Sequence, residues 1–409
     1  MKGLILAVAT AALLLGQADT ELLRLSTEIV RLHGQGKYAE AIPIAEKALE
    51  ISEKTNGPEH PTTGTQLNNL AELHRAQGGY EKALPLAQRA LVISEKVNGP
   101  EHLATAARLN ALAGILARQG ALAKAEPLLL RALAINEKAQ GPDHPNTGAL
   151  QSALAELYRS QGAYQKALPL ALRALAISEE ADGPDHPSTA ARLNNLAGIY
   201  TSQAAYARAE PLFLRALAIR EKVFGPEHTQ TAVTLNNLAS TYESLGNFAK
   251  AEPLYQKALA IFEKTEGPDN PSTARQLANL GGLYKAQGKY AQAEPLYLRA
   301  LAISEKTEGP THLSTATDLN NLAALYVAQA AYAKAEPLFL RALSIIENAA
   351  GPNHPLTASS LNNLAALYDA QGAYAKAEPL YLRALAITEK AEGPDHPDTG
   401  ARLNNLAGF

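Results

Sequence analysis

Histidine is the residue of this chain that most invites a chemical reading. It recurs at His60, His102, His144, His186, His228, His312, His354 and His396, and Asn270 takes one place in the series. Imidazole can ligate metals or move protons near neutral pH. A metal site needs several ligands converging on bonds of about 2 Å. Equivalent residues of stacked helix pairs lie about two packing distances apart, each about 8–10 Å. These histidines therefore cannot share an ion. The reading that fits is a cap at the start of the following helix. His33 and His74 lie at other repeat positions and read as packing or surface groups.

Two charged series repeat as well. Glu126, Glu210, Glu252, Glu294, Glu336 and Glu378 fall in the first turn of a helix, where a carboxylate favours the positive end of the helix dipole. Arg89, Arg131, Arg173, Arg215, Arg299, Arg341 and Arg383 follow further along and read as a solvated or ion-paired row. No Ser-His-Asp setting, glycine-rich phosphate loop or metal-ligand cluster stands out. An active site is a unique constellation, whereas this chain offers each residue many times over. No catalytic residue, cofactor or metal is expected, and the chain does not read as an enzyme.

Asparagine is the remaining polar signal. Pairs stand at Asn68-Asn69, Asn194-Asn195, Asn236-Asn237, Asn320-Asn321, Asn362-Asn363 and Asn404-Asn405, with single residues at Asn110 and Asn279. Asparagine is a mediocre helix former, so its recurrence within helices needs a reason. A row of amides offers donors and acceptors to an extended backbone whatever its side chains. The same amides could instead bond to one another as a ladder between repeats. Both readings stand, and the two columns of asparagines could divide the roles.

The elements that must position these residues follow from punctuation. Gly-Pro occurs at Gly57-Pro58 and then every 42 residues to Gly393-Pro394. Such a period marks a solenoid rather than separate globular domains. Each repeat reads as two helices. In one repeat helix A is predicted over Thr62–Gln77 and helix B over Tyr80–Val97, with glycine caps behind each. Leu67, Leu70, Ala71 and His74 form one buried stripe, and Leu73 points toward a neighbouring repeat. Thr65, Asn68, Asn69, Glu72, Arg75 and Ala76 face away from helix B. A proline sits near the start of every helix B, from Pro43 to Pro379, where the penalty is smaller than in mid-helix. Nine A/B pairs are expected, and a tenth helix A begins near Asp398.

Composition bounds the rest. The chain has 409 residues, 46% of them apolar, enough for a large core. Lys+Arg 37 against Asp+Glu 40 gives a net charge of -3, which argues against a nucleic-acid binder. There is no cysteine, so disulfides and thiolate chemistry are excluded within this chain. Residues 1–18 have the layout of a secretory signal peptide: Lys2, an apolar run Leu4–Leu15, and small residues at Gly16 and Ala18. Export would make the protein secreted or periplasmic. Without a signal it would be cytoplasmic. No transmembrane segment is expected in the mature chain.

The set Leu-Asn-Asn-Leu-Ala-x-Leu-Tyr on helix A, the Gln-Gly-x-Tyr corner, Ala-Glu-Pro-Leu-Tyr-x-Arg-Ala-Leu-x-Ile on helix B and Gly-Pro-Asp-His-Pro in the loop is complete over Leu361–Pro397. It resembles the tetratricopeptide repeat in the 42-residue form of kinesin light chains and their bacterial relatives. The resemblance covers residues 19–409. It implies an all-α, right-handed solenoid superhelix whose A helices line a concave groove. It also implies protein or peptide partners, often extended segments held by the helix-A asparagines given above. A dicarboxylate clamp of the kind some relatives carry needs basic residues in the Thr65 column, and only Arg275 supplies one. The leading reading is an interaction scaffold. The alternative is a regulatory arm of a larger polypeptide with an effector domain beyond Phe409. Charges at Glu72, Arg75, Arg118, Glu156 and Arg159 suggest a charged-ligand preference in the first half of the groove, with Glu243, Lys285 and Asp369 sparser in the second.

Overall fold

The computed structural model describes residues 17–34, 37–394 and 396–408, and all regular structure among them is helical. The A helices are α1 (Gln17–Gly34), α3 (Pro61–Ala76), α5 (Leu103–Arg118), α7 (Pro145–Ser160), α9 (Pro187–Ser202), α11 (Thr229–Ser244), α13 (Pro271–Ala286), α15 (Leu313–Ala328) and α17 (Pro355–Ala370). The B helices are α2 (Tyr38–Asn56), α4 (Tyr80–Asn98), α6 (Leu122–Gln140), α8 (Tyr164–Ala181), α10 (Tyr206–Phe224), α12 (Phe248–Thr265), α14 (Tyr290–Thr307), α16 (Tyr332–Ala349) and α18 (Tyr374–Glu392). A shorter tenth A helix, α19 (Pro397–Gly408), follows. The segment read as a signal lies outside the described residues, apart from Gln17 and Ala18, which open α1.

The helix boundaries have local causes. His60 is extended, and its Nδ1 accepts the Thr62 N–H at 3.3 Å, capping α3. His102, His144, His186, His228, His312, His354 and His396 cap their helices in the same way, and Asn270 does so through Oδ1 at 2.8 Å from the Ser272 nitrogen. The cap reading of the histidine series therefore holds. Behind α4, Gly99 adopts φ 98°, which a side chain would resist. Thr105 Oγ1 donates to the Gly99 carbonyl at 2.8 Å and meets Ser94 Oγ at 3.1 Å, tying the loop to α4. Helix α4 continues through Pro85, because the one backbone bond lost there is the one that the Glu81 carbonyl of the first turn would have accepted.

Two compact bodies divide the chain, one ending at Leu150 and one beginning at Gln151. In the first, Leu22, Leu25, Ile29 and Leu32 of α1 pack on Ala41, Ala45 and Ala48 of α2 and on Leu70 and Leu73 of α3. Leu73 thus reaches the preceding repeat, as its phase predicts. In the second body, Phe213, Tyr255, Tyr297, Phe339 and Tyr381 of the B helices pack against Leu238, Leu280, Leu322 and Leu364 of the A helices. Ala209, Ala251, Ala293, Ala335 and Ala377 are wholly buried, which lets the paired helices approach closely. Burying each leucine contributes about 1.5–3 kcal/mol, and most of that burial needs the adjacent repeat. Within the second body helix α9 also packs on α11, α13 on α15 and α15 on α17, so these A helices form a layer of their own. No described helix is long and apolar enough to cross a membrane.

Candidate functional site

The asparagines lie on the A helices. Asn68, Asn69, Asn195, Asn236, Asn237, Asn279, Asn320, Asn321 and Asn363 are half-buried. Asn194 and Asn362 are buried, and Asn110, Asn404 and Asn405 are exposed. Helical phase alone predicted a free face, and the structure half-buries or buries most of these residues rather than leaving them in open solvent.

Several amides bond between repeats. Asn279 Nδ2 donates to Asn236 Oδ1 at 2.8 Å, Asn405 Nδ2 to Asn362 Oδ1 at 2.9 Å, and Asn237 Nδ2 to Asn194 Oδ1 at 3.5 Å. Asn195 Nδ2 donates to Ser152 Oγ at 2.8 Å, so serine fills the acceptor place in the repeat without asparagine. In every case a second-column amide reaches the first-column position of the preceding repeat. Asn194 Nδ2 also donates to the Ala190 carbonyl at 2.9 Å, which ties that amide to its own helix. Asn69 instead bonds Gln66 within its own helix, at 3.5 Å. The ladder reading is thus realised in the second body. It uses the second-column Nδ2 and the first-column Oδ1 groups. These bonds use only the Nδ2 groups of Asn195, Asn237, Asn279 and Asn405, which leaves their carbonyl oxygens as acceptors. Asn320 Oδ1 is buried without a hydrogen-bond donor.

The charged residues of this face are partly neutralised. Arg75 pairs with Glu72, and Arg159 with Glu156 at 2.5 Å. These internal pairs offset the charge expected to give the first half of the groove its preference. Glu243 accepts the Tyr255 hydroxyl at 2.7 Å. Lys285 is half-buried, and desolvation lowers its pKa.

One recurring contact escaped the sequence. Tyr242 OH donates to Glu210 at 2.6 Å, Tyr284 to Glu252 at 3.0 Å, Tyr326 to Glu294 at 2.9 Å and Tyr368 to Glu336 at 2.8 Å. The glutamates do sit in the first turn of helix B, yet each also receives a tyrosine from the following A helix. The constant 32-residue separation of these Tyr and Glu series was the available signal. Lys250, Lys289, Lys334 and Lys376 lie over the same tyrosine rings. On the opposite, B-helix surface the arginine row is ion-paired. Arg131 meets Glu95, and Arg299 meets Glu263, each at 2.6 Å.

Among the described residues, Glu392, His396 and Asp398 bring ligand-type atoms within 4.8 Å of one another. The His396 Nδ1 lone pair is engaged by the Asp398 backbone N–H at 3.1 Å. This cluster is therefore a helix cap with a carboxyl beside it.

The tetratricopeptide repeat model matches eight overlapping stretches, 30–91, 62–138, 105–180, 150–222, 189–264, 230–303, 272–348 and 319–390. The chain is a tetratricopeptide repeat protein. Its solved relatives include a putative kinesin light chain from Podosopora anserina with nearly identical TPR-like repeats, 28% identical over 50% of this chain and 97% of that one, at a TM-score of 0.43. BtubC (BKLC) from P. vanneervenii is 28% identical over 58% of this chain and 92% of that one, at a TM-score of 0.44. A Rap protein solved with competence and sporulation factor shares 15% identity over 92% of this chain and 98% of its own, at a TM-score of 0.57. That likeness concerns the fold. No curated protein matches this chain. For a tetratricopeptide repeat scaffold, the layer of A helices is the candidate surface, and its amides are the chemistry it presents.

Proposed function

We propose that this tetratricopeptide repeat protein is a non-enzymatic interaction scaffold that docks an extended peptide segment of a partner protein along its A-helix face. The observation that carries this reading is the row of second-column amide oxygens left by the inter-repeat ladder in the second body. Each lone pair can accept an N–H from an extended backbone, independent of the partner's sequence. The Tyr–Glu contacts and the ladder hold that row in place, which lowers the ordering cost of binding. The Rap neighbour, solved with a factor bound, shares the fold and is compatible with this use. We further propose that residues 1–18 are a cleaved signal and that the mature scaffold acts outside the cytoplasm.

The test selects peptides from a random displayed library on the wild-type protein. Their affinities are then compared with an Asn237→Ala, Asn279→Ala variant whose circular dichroism is unchanged. Affinity should fall in the variant. Equal affinity would assign the asparagines a structural role only. Intact mass of the protein isolated from its native cells tests export, since a signal would shorten the chain at Ala18.

A further inference from the structure

Seven of the eight cap histidines are exposed or half-exposed, whereas His396 is buried. The difference is a contact made across 236 residues of sequence, within the second body. His396 Nε2 donates to the Ser160 carbonyl at 3.2 Å. Ser160 ends α7, and Gly162 lies in the corner before α8. Gly162 is packed against Pro397 so closely that a Cβ added there would fall 2.5 Å from Pro397 Cδ and 2.8 Å from Cγ. The equivalent corner glycines Gly246, Gly288 and Gly372 have open space at the same point.

The chemistry of His396 suits this contact. Its Nδ1 accepts the Asp398 N–H at 3.1 Å, so the proton stands on Nε2 and points at Ser160. Glu392 Oε2 lies 3.0 Å from the same Nδ1. Burial raises the Glu392 pKa. Asp398 and Arg402 are the other charged groups beside Glu392, and Arg159 of α7 is held by Glu156. The imidazole is thus fixed in one orientation by its own helix start before it meets the distant corner.

We propose that the Ser160–Gly162 corner and the His396–Pro397 helix start form a clasp that closes the repeats between them into a ring, and that a peptide enters the A-helix groove of this body by opening the clasp. The second half of this proposal rests on the groove reading above. The first half stands on the contact alone. An array that bends steadily in one direction brings residues between five and six repeats apart into register. The clasp then fixes the curvature that each repeat interface only biases.

The chain lacks cysteine, so Gln165→Cys and Ala401→Cys, both exposed, give a clean spin-label pair across the clasp. Gly162→Ala is the opening variant. Its backbone conformation is tolerable, because Ala204 and Ala330 occupy the same corner position at φ 55° and 56°. Gly372→Ala carries the same backbone strain without the collision and serves as the control. His396→Asn is the second variant. It keeps the α19 cap, as Asn270 does for α13, but is too short to reach Ser160. The expected result is a longer, broader label distance in Gly162→Ala and His396→Asn, and a wild-type distance in Gly372→Ala. Association with a peptide selected on the wild-type protein should be faster in both clasp variants. An unchanged distance in Gly162→Ala overturns the clasp. A longer distance with unchanged association overturns the gate. If no displayed peptide binds any form, the groove reading and the gate fall together, while the distances still decide whether the clasp exists.

Discussion

Asn279 donates its amide to Asn236 across the boundary between adjacent repeats, 2.8 Å from nitrogen to oxygen. The pair joins two half-buried side chains on the face proposed to meet a partner. Asn236→Ala would strand the Asn279 donor. A net loss of about 1 kcal/mol is expected from one such bond. In a linear array that loss appears locally. Hydrogen exchange should accelerate first in α11 and α13, and the urea midpoint should fall.

The histidine caps separate shape from identity. His354→Ala should cost about 0.5–2 kcal/mol, the range for a lost N-cap. His354→Asn should be nearly neutral, because Asn270 caps α13 with the same geometry. Thermal melts of the two variants side by side check both values.

Alkaline stability should depend on the tyrosine contacts. Burial, followed by the hydrogen bonds to Glu210 and Glu336, pushes Tyr242 and Tyr368 up to about 12 from the ordinary 10.0. The folded state therefore favours the protonated phenol. That contribution is whole below pH 10 and disappears as pH rises toward 12. Tyrosinate absorbance should show a late-titrating fraction, and Tyr242→Phe with Tyr368→Phe should flatten the stability curve across that window.

Asp318 predicts a second pH effect at the acid side. It is buried against Ser304, whose hydroxyl donates at 2.6 Å, and desolvation pushes its carboxyl up to about 6 from 3.8. A raised carboxyl means that folding favours the protonated form. Its contribution is whole below about pH 3.8 and is lost as pH rises through about 6. Asp318→Asn should raise the urea midpoint at pH 8 more than at pH 4.5. Equal gains at both values would contradict the assignment.

The helix pairs, their caps and the free face of the A helices were legible because each is a local consequence of residue type and spacing. Gly99 ends α4 and His102 starts α5 through contacts spanning a few residues. The asparagine question was not decidable that way. An amide bonding a neighbour and an amide awaiting a ligand have the same sequence, and only the distance from Asn279 to Asn236 separates them. The Tyr–Glu contacts were hidden by a reasonable partial answer, since a helix dipole already accounts for Glu294. The His396–Ser160 contact had no sequence signal, because it depends on small rotations accumulated over many repeat interfaces.

The arginine row has a mechanical consequence. Arg299 grips Glu263 and the Pro268 carbonyl on one side of the array, while Asn279 grips Asn236 on the other. The two fastenings respond to different solvents. Half-exposed ion pairs slacken in salt, whereas neutral amide bonds do not. The array is therefore a bimetallic strip in chemical form: added electrolyte loosens one side only, and ionic strength becomes a control on its flexural stiffness.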